Sequence, residues 1–217
     1  MTALAVMASL CAAVFLSPAF SEDSAVPETV IRVGILENAA SFNLSAESGY
    51  HAVELNTGKK TDLSPSNVYL VSPSGNGVSI GGQELQTPLR LVLPEDNKFI
   101  RINGRRYRDT LILRTNGNNK LTVINELGLD GYLYGILPRE VSPQWPFESL
   151  KAQAVASRSY ALKNMHRHDS EGFFLCSTVH CQVYGGVEGE TGVTTRAVDE
   201  THNEVITYNE YMASTYF

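Results

Sequence analysis

LDGYLYGILPREVSPQWPFESLKAQAVASRSYALKNM, residues 129–165, is where the chain changes character. From Phe147 to Met165 it holds neither Gly nor Pro and is rich in Ala, the best intrinsic helix former, so this is the longest helix signal in the sequence. Pro146 suits a helix start, where its missing N–H is no loss. Upstream, the spacing predicts a shorter helix through Tyr132–Leu137, capped by Asp130 and ended by Pro138. Glu140 then falls in the connection between the two helices, held between Pro138 and Pro143.

Before this stretch the pattern is that of strands. Val30–Ile35 alternates, with Ile31, Val33 and Ile35 on one side and Arg32 and Gly34 on the other. Leu89, Leu91 and Leu93 repeat the period of two, as do Leu111 with Leu113 and Leu121 with Val123. Thr115-Asn116-Gly117-Asn118-Asn119 between the last two pairs is turn chemistry and predicts a hairpin. Pro73–Gly77 and Gly81-Gly82 mark further turns. Beyond Gly172, strand-type signals return at Val183-Tyr184 and Val205–Tyr208. The expected class is α+β: a β-rich part over 29–128, a long central helix, then further strands.

The chain has 217 residues, 43% of them hydrophobic and 18% charged, enough to bury a core. Net charge is −6 with no basic run, which argues against nucleic acid as a partner. The first 21 residues carry no Lys, Arg, Asp or Glu. Leu4–Leu16 is apolar but short for a membrane span, and Ala19-Phe20-Ser21 sets small residues where a signal peptidase cuts. Residues 1–21 are therefore expected to be a signal peptide and 22–28 a linker, although the leader lacks a basic residue. An uncleaved anchor is the alternative, and either places the rest outside the cytoplasm.

Three sets of residues offer chemistry. Glu140 has Leu133, Ile136, Leu137 and Val141 around it, an apolar surround of the kind that desolvates a general acid, yet spacing alone favours an ordinary surface glutamate. Arg158 has Ala154, Val155, Ala161 and Leu162 as its helix neighbours, so its guanidinium snorkels to water or is buried against an anion. Cys176, His180 and Cys181 with His168 or His166 supply up to four zinc ligands, while a Cys176–Cys181 disulfide is the plainer reading for an exported chain.

Several motifs in order carry a resemblance. Gly131–Glu140 and Trp145–Leu162 come first. Ser177-Thr178, Cys181–Gly186, Ala197–Thr201 and Glu204–Tyr208 follow. Together they resemble the SpoIID/LytB family, named for stage II sporulation protein D and an amidase enhancer. The resemblance implies a lytic transglycosylase that cuts MurNAc–GlcNAc bonds of peptidoglycan, preferring strands stripped of stem peptides, in cell-wall remodelling or sporulation. Glu140 matches the family's catalytic glutamate, and Arg158 matches an arginine also implicated. Gln182 and Tyr184 are candidates to bind sugar, or else residues that pack the core. The chemistry requires no cofactor. Some relatives bind zinc near Cys176–Cys181, which sets a structural zinc level with the disulfide. A non-catalytic partner of a peptidoglycan amidase is the alternative function, and a zinc hydrolase ranks last because two Cys ligands suit a structural site better. Relatives usually continue past a Tyr-Phe like Tyr216-Phe217, so part 129–217 is expected to be incomplete.

Overall fold

Period-two alternation becomes twelve successive strands in a computed structural model of the chain, which describes residues 28–94 and 98–215. The expected signal peptide, the linker as far as residue 27, and Tyr216-Phe217 lie outside the described residues. In order, the strands are β1 (Val30–Ala39), β2 (Phe42–Ala46), β3 (Tyr50–Glu54), β4 (Lys60–Leu63), β5 (Tyr69–Ser74) and β6 (Gly77–Ile80). Then come β7 (Gln83–Gln86), β8 (Leu89–Val92), β9 (Ile100–Ile102), β10 (Arg105–Tyr107), β11 (Thr110–Thr115) and β12 (Leu121–Gly128). The expected hairpin is there, with β11 and β12 paired antiparallel from Thr115↔Leu121 to Thr110↔Glu126. Ile31 and Val33 of β1 are buried, as the alternation requires.

Two sheets result. One runs β10-β9-β2-β5-β6-β7. The other runs β13-β1-β12-β11-β8-β3-β4, and its edge strand β13 (Leu175–Cys176) comes from the second half of the chain. β13 lies parallel to β1 through Val33↔Leu175 and Gly34↔Cys176. Phe174 N–H to Arg32 O (2.9 Å) and Ser177 N–H to Gly34 O (3.0 Å) extend the join. Gly34 is required here, because a Cβ would sit 2.7 Å from the Phe173 ring.

Three helices pack together beside this sheet: α1 (Leu129–Glu140), α2 (Phe147–Lys163) and α3 (Gly192–Asp199). The class is α+β, with the β-rich first half and long helix that were expected. Helix α1 corrects two expectations. It does not stop at Pro138, and Asp130 is not its cap: Gly128 stands at the cap position and Asp130 lies in the first turn. An interior proline costs a helix roughly 3 kcal/mol. Leu133, Ile136 and Leu137 are fully buried on α1 and contribute about 1.5–3 kcal/mol each, so burial carries the helix through. Val141 N–H still reaches Leu137 O at 3.1 Å. Glu140 is thus the last helical residue, not part of a connection.

The later elements also differ from expectation. Val183-Tyr184 forms no strand; Tyr184 N–H turns to Ser177 O (3.2 Å), and Gly186 follows at φ 65°. Only Thr207–Tyr208 of the last predicted strand pairs, as β14 against β15 (Tyr211–Met212). Helix α3 has no counterpart among the expectations. Thr191 caps it, its hydroxyl accepting from Thr194 N–H at 3.3 Å.

Candidate functional site

The C-terminal end of α1 opens into a cavity of about 360 Å³. Glu140 lines it with Tyr160 of α2 and the segment Val179–Val183. The Glu140 side chain is half-buried, and its carboxylate makes no hydrogen bond or ion pair among the described residues. Its neighbour Arg139 points elsewhere, donating to Glu188 O at 3.1 Å and packing against Gly185. The Glu140 carboxylate is therefore available to a ligand.

Gln182 forms the buried floor of this cavity, at 2% exposure. Its Oε1 accepts from Tyr132 Oη (3.3 Å) and its Nε2 donates to Ser157 O (3.4 Å), which fixes the segment to both long helices. Gly135 lets α1 approach that segment, since a Cβ there would meet the Tyr184 ring at 2.6 Å and Gly186 O at 2.7 Å. Tyr184 itself is not at the cavity. It is 3% exposed, its hydroxyl donates to Asn125 Oδ1 (2.8 Å), and its ring lies 5.2 Å from that of Tyr132. Burial holds the Tyr184 and Tyr132 hydroxyls well above the usual tyrosine range. Of the two expected sugar contacts, Gln182 lines the cavity with its amide bonded to Tyr132 and Ser157, and Tyr184 is a core residue.

Arg158 is not brought to Glu140. It is 1% exposed and joins Asp130, with Nη2 2.9 Å and Nε 3.3 Å from Oδ1. Nη1 donates to Glu204 O (3.1 Å) and Nη2 to Val198 O (3.2 Å). The other Asp130 oxygen holds His202 Nδ1. Asp130 starts α1 and Glu140 ends it, about 15 Å apart at 1.5 Å per residue. Arg158 lines a separate cavity with Asp130, His202 and Asn203. Its buried pair ties together α1, α2 and the end of α3. The sequence concealed this because Asp130 lies 28 positions away.

The Cys/His residues do converge. The ligand atoms of His168, Cys176, His180 and Cys181 all lie within 4.8 Å of one another. Both cysteines are free thiols, so no disulfide closes this loop. His180 Nδ1 stands 3.6 Å from Cys176 Sγ and 3.7 Å from Cys181 Sγ, and His168 Nε2 stands 3.4 Å from Cys181 Sγ. A tetrahedral zinc with ordinary bond lengths sets sulfur and nitrogen ligands about 3.6 Å apart, so these donors fit such an ion. His168 Nδ1 bonds the Glu171 carboxylate and its ring stacks on Phe173 at 5.0 Å, which leaves Nε2 facing the thiols. Burial pushes the Cys181 thiol up to about 11, a bias that a bound cation would reverse. His166 stays outside, its side chain 85% exposed and paired with Asp169. Four protein ligands leave no open position, as in structural zinc sites. His180 and Cys181 also line the Glu140 cavity, so the cluster braces its wall.

Comparison with known proteins matches residues 117–208 to the family model described as SpoIID, Stage II sporulation protein. The chain is 30% identical over 193 residues to an uncharacterized protein of Brachyspira hyodysenteriae, covering 88% of this chain and 51% of that one. It is 28% identical over 165 residues to the protein named Amidase enhancer of Bacillus subtilis, covering 76% of this chain and 20% of the relative. The chain thus spans about half the length of one relative and a fifth of the other. The matched span holds Glu140, Arg158 and all four Cys/His residues.

Proposed function

Residues 117–208 belong to the SpoIID family, and from that premise we propose that the chain is a lytic transglycosylase acting on peptidoglycan glycan strands outside the cytoplasm. The family and the amidase-enhancer relative support a role connected with the cell wall. The observation that carries the finer reading is Glu140, the sole carboxylate among the described residues that line its cavity. Hydrolytic glycosidases ordinarily use two carboxyl groups flanking the scissile bond. A lytic transglycosylase needs one.

In this mechanism the neutral Glu140 carboxyl gives its proton to the bridging oxygen as the bond from MurNAc C1 to that oxygen breaks. The resulting carboxylate takes the proton from the C6 hydroxyl of the same MurNAc. O6 bonds to C1, which closes a 1,6-anhydro ring and regenerates the neutral acid. Water contributes no atom. Buried Gln182 offers a fixed wall against which the sugar seats, and the thiol and imidazole groups of the Cys/His cluster hold that wall in place. A zinc ion held by His168, Cys176, His180 and Cys181 would supply structural cross-linking and no chemistry at the glycosidic bond.

Mass spectrometry of products from denuded glycan strands tests the reading. Anhydro-ended products from the protein, and none from its Glu140→Gln variant, support it. Reducing-end products would make the protein a hydrolase instead. The second reading, a non-catalytic partner of a peptidoglycan amidase, is favoured by the name of the Bacillus subtilis relative. It predicts that Glu140→Gln enhances an amidase as well as the wild type does.

A further inference from the structure

Tyr160 borders the Glu140 cavity. That residue also lines a second cavity, of about 540 Å³, with Lys163, Asn164, Arg167 and Thr215. Tyr160 is common to the two depressions, one of which holds Glu140 and the other the two cations Lys163 and Arg167. Arg167 Nη1 donates to Tyr160 Oη at 3.0 Å, and its Nη2 lies 3.2 Å from His180 Nε2. Neither partner is a carboxylate, so these contacts position the guanidinium without an acid beside it. Arg32, Arg90, Arg101, Arg106, Arg108 and Arg158 each end on a carboxylate. Neither Lys163 nor Arg167 pairs with an acid among the described residues. The helix dipole favours a cation at Lys163, in the last turn of α2, but Arg167 lies beyond the helix and has no such account.

We propose that Lys163 and Arg167 form an anion subsite that takes the free lactyl carboxylate of a peptide-free MurNAc, while the scissile bond of the same strand sits at Glu140. The proposal rests on the glycan reading above and adds the residues that set its specificity. A MurNAc that carries a stem peptide has this carboxyl locked in an amide, which is neutral, and GlcNAc has no lactyl group at all. A guanidinium held at a fixed angle binds a carboxylate through two parallel N–H groups, with the neighbouring ammonium adding charge. Because both cations are exposed, the gain is modest and falls as salt rises.

The test measures binding to the full chain carrying Glu140→Gln, so that no probe is cut. Three tetrasaccharides serve as probes: alternating GlcNAc-MurNAc with free lactyl carboxylates, the same with those carboxyls capped as methylamides, and chitotetraose. The expected result is tighter binding of the free-carboxylate probe over the capped one by on the order of 3- to 10-fold at low salt. Arg167→Gln and Lys163→Glu each remove that preference and leave chitotetraose binding unchanged. Lys163→Glu keeps the test decisive if replacing Arg167 disturbs His180. Equal binding of free and capped probes, or a preference that survives Lys163→Glu, overturns the subsite and spares the glycan reading. Competition by inorganic phosphate as strong as by the free-carboxylate probe reduces the subsite to a general anion site. Binding of none of the three sugars overturns the glycan reading itself.

Discussion

Helix α1 has opposite electrostatics at its two ends. At its start, Asp130 is bound by the buried Arg158 on one oxygen and by His202 on the other, and Arg158 also satisfies two backbone carbonyls. At its finish, Glu140 faces a cavity without a partner among the described residues. Both are carboxylates on one helix, about three turns apart. A fully coordinated carboxylate is committed to its partners, which any ligand would have to displace. An uncoordinated one beside a cavity keeps its oxygens open to a ligand.

Five substitutions or treatments break or sharpen this contrast in different ways. Glu140→Gln is expected to cost about 10²- to 10⁴-fold in strand cleavage with stability within about 0.5 kcal/mol, read by product formation and urea melting. Asp130→Ala does the reverse to the other end: it strands a buried guanidinium and costs about 3–5 kcal/mol of stability. A urea midpoint equal to that of the wild type would show that Arg158 finds water there and that the two ends do not differ in kind. Chelation of a zinc-loaded protein is next. It is expected to cost about 2.7 kcal/mol when zinc had stood a hundredfold above its Kd, and to weaken glycan binding without touching Glu140. Metal analysis of Cys176→Ser, with no zinc retained, checks the same ligand set.

The smallest effect is at Glu188, whose carboxylate is held by Arg106 Nε at 2.9 Å. The Arg106 hydrogen bond lowers its pKa below the ordinary 4.5. A depressed carboxyl stabilises the fold above its unfolded pKa, and that contribution is lost as pH falls through the folded value. Glu188→Gln should therefore cost well under 1 kcal/mol at neutral pH, and its melting curve should converge on that of the wild type in acid.

How far the sequence disclosed this contrast depends on the range of the forces involved. Alternation marked β1, β8, β11 and β12, because each buries one face and side chains alternate. The absence of Gly and Pro marked α2. Pro138 misled, since the local cost of a proline was legible while the burial of Leu133, Ile136 and Leu137 that offsets it was not. Val183-Tyr184 had strand composition, but its hydrogen bonds go to a loop residue, Ser177, and not to a ladder. Glu140 was singled out from its apolar surround and the family motif but assigned to a connection, whereas it ends α1 and lines a cavity. The partner of Arg158 was invisible, because nothing local distinguishes an arginine buried on Asp130 from one reaching a ligand. The zinc-type residues were named from the Cys-x3-His-Cys spacing with His168 or His166 as the fourth, and the fold brings in His168.

The parallel pairing of β13 with β1 also fixes an order of events. Val33 and its neighbour Leu175 are separated by most of the described chain, whereas the β11–β12 hairpin closes over a few residues. Contacts so far apart in sequence are slow to form. As the polypeptide leaves a ribosome or a translocation pore, Glu140 emerges on α1 before Cys176, His180, Cys181 and Gln182 exist outside. A fragment ending at Gly172 would carry the acid and none of the wall from Val179 to Val183 that faces it. Timing within the chain thereby separates possession of the acid from possession of a place to use it.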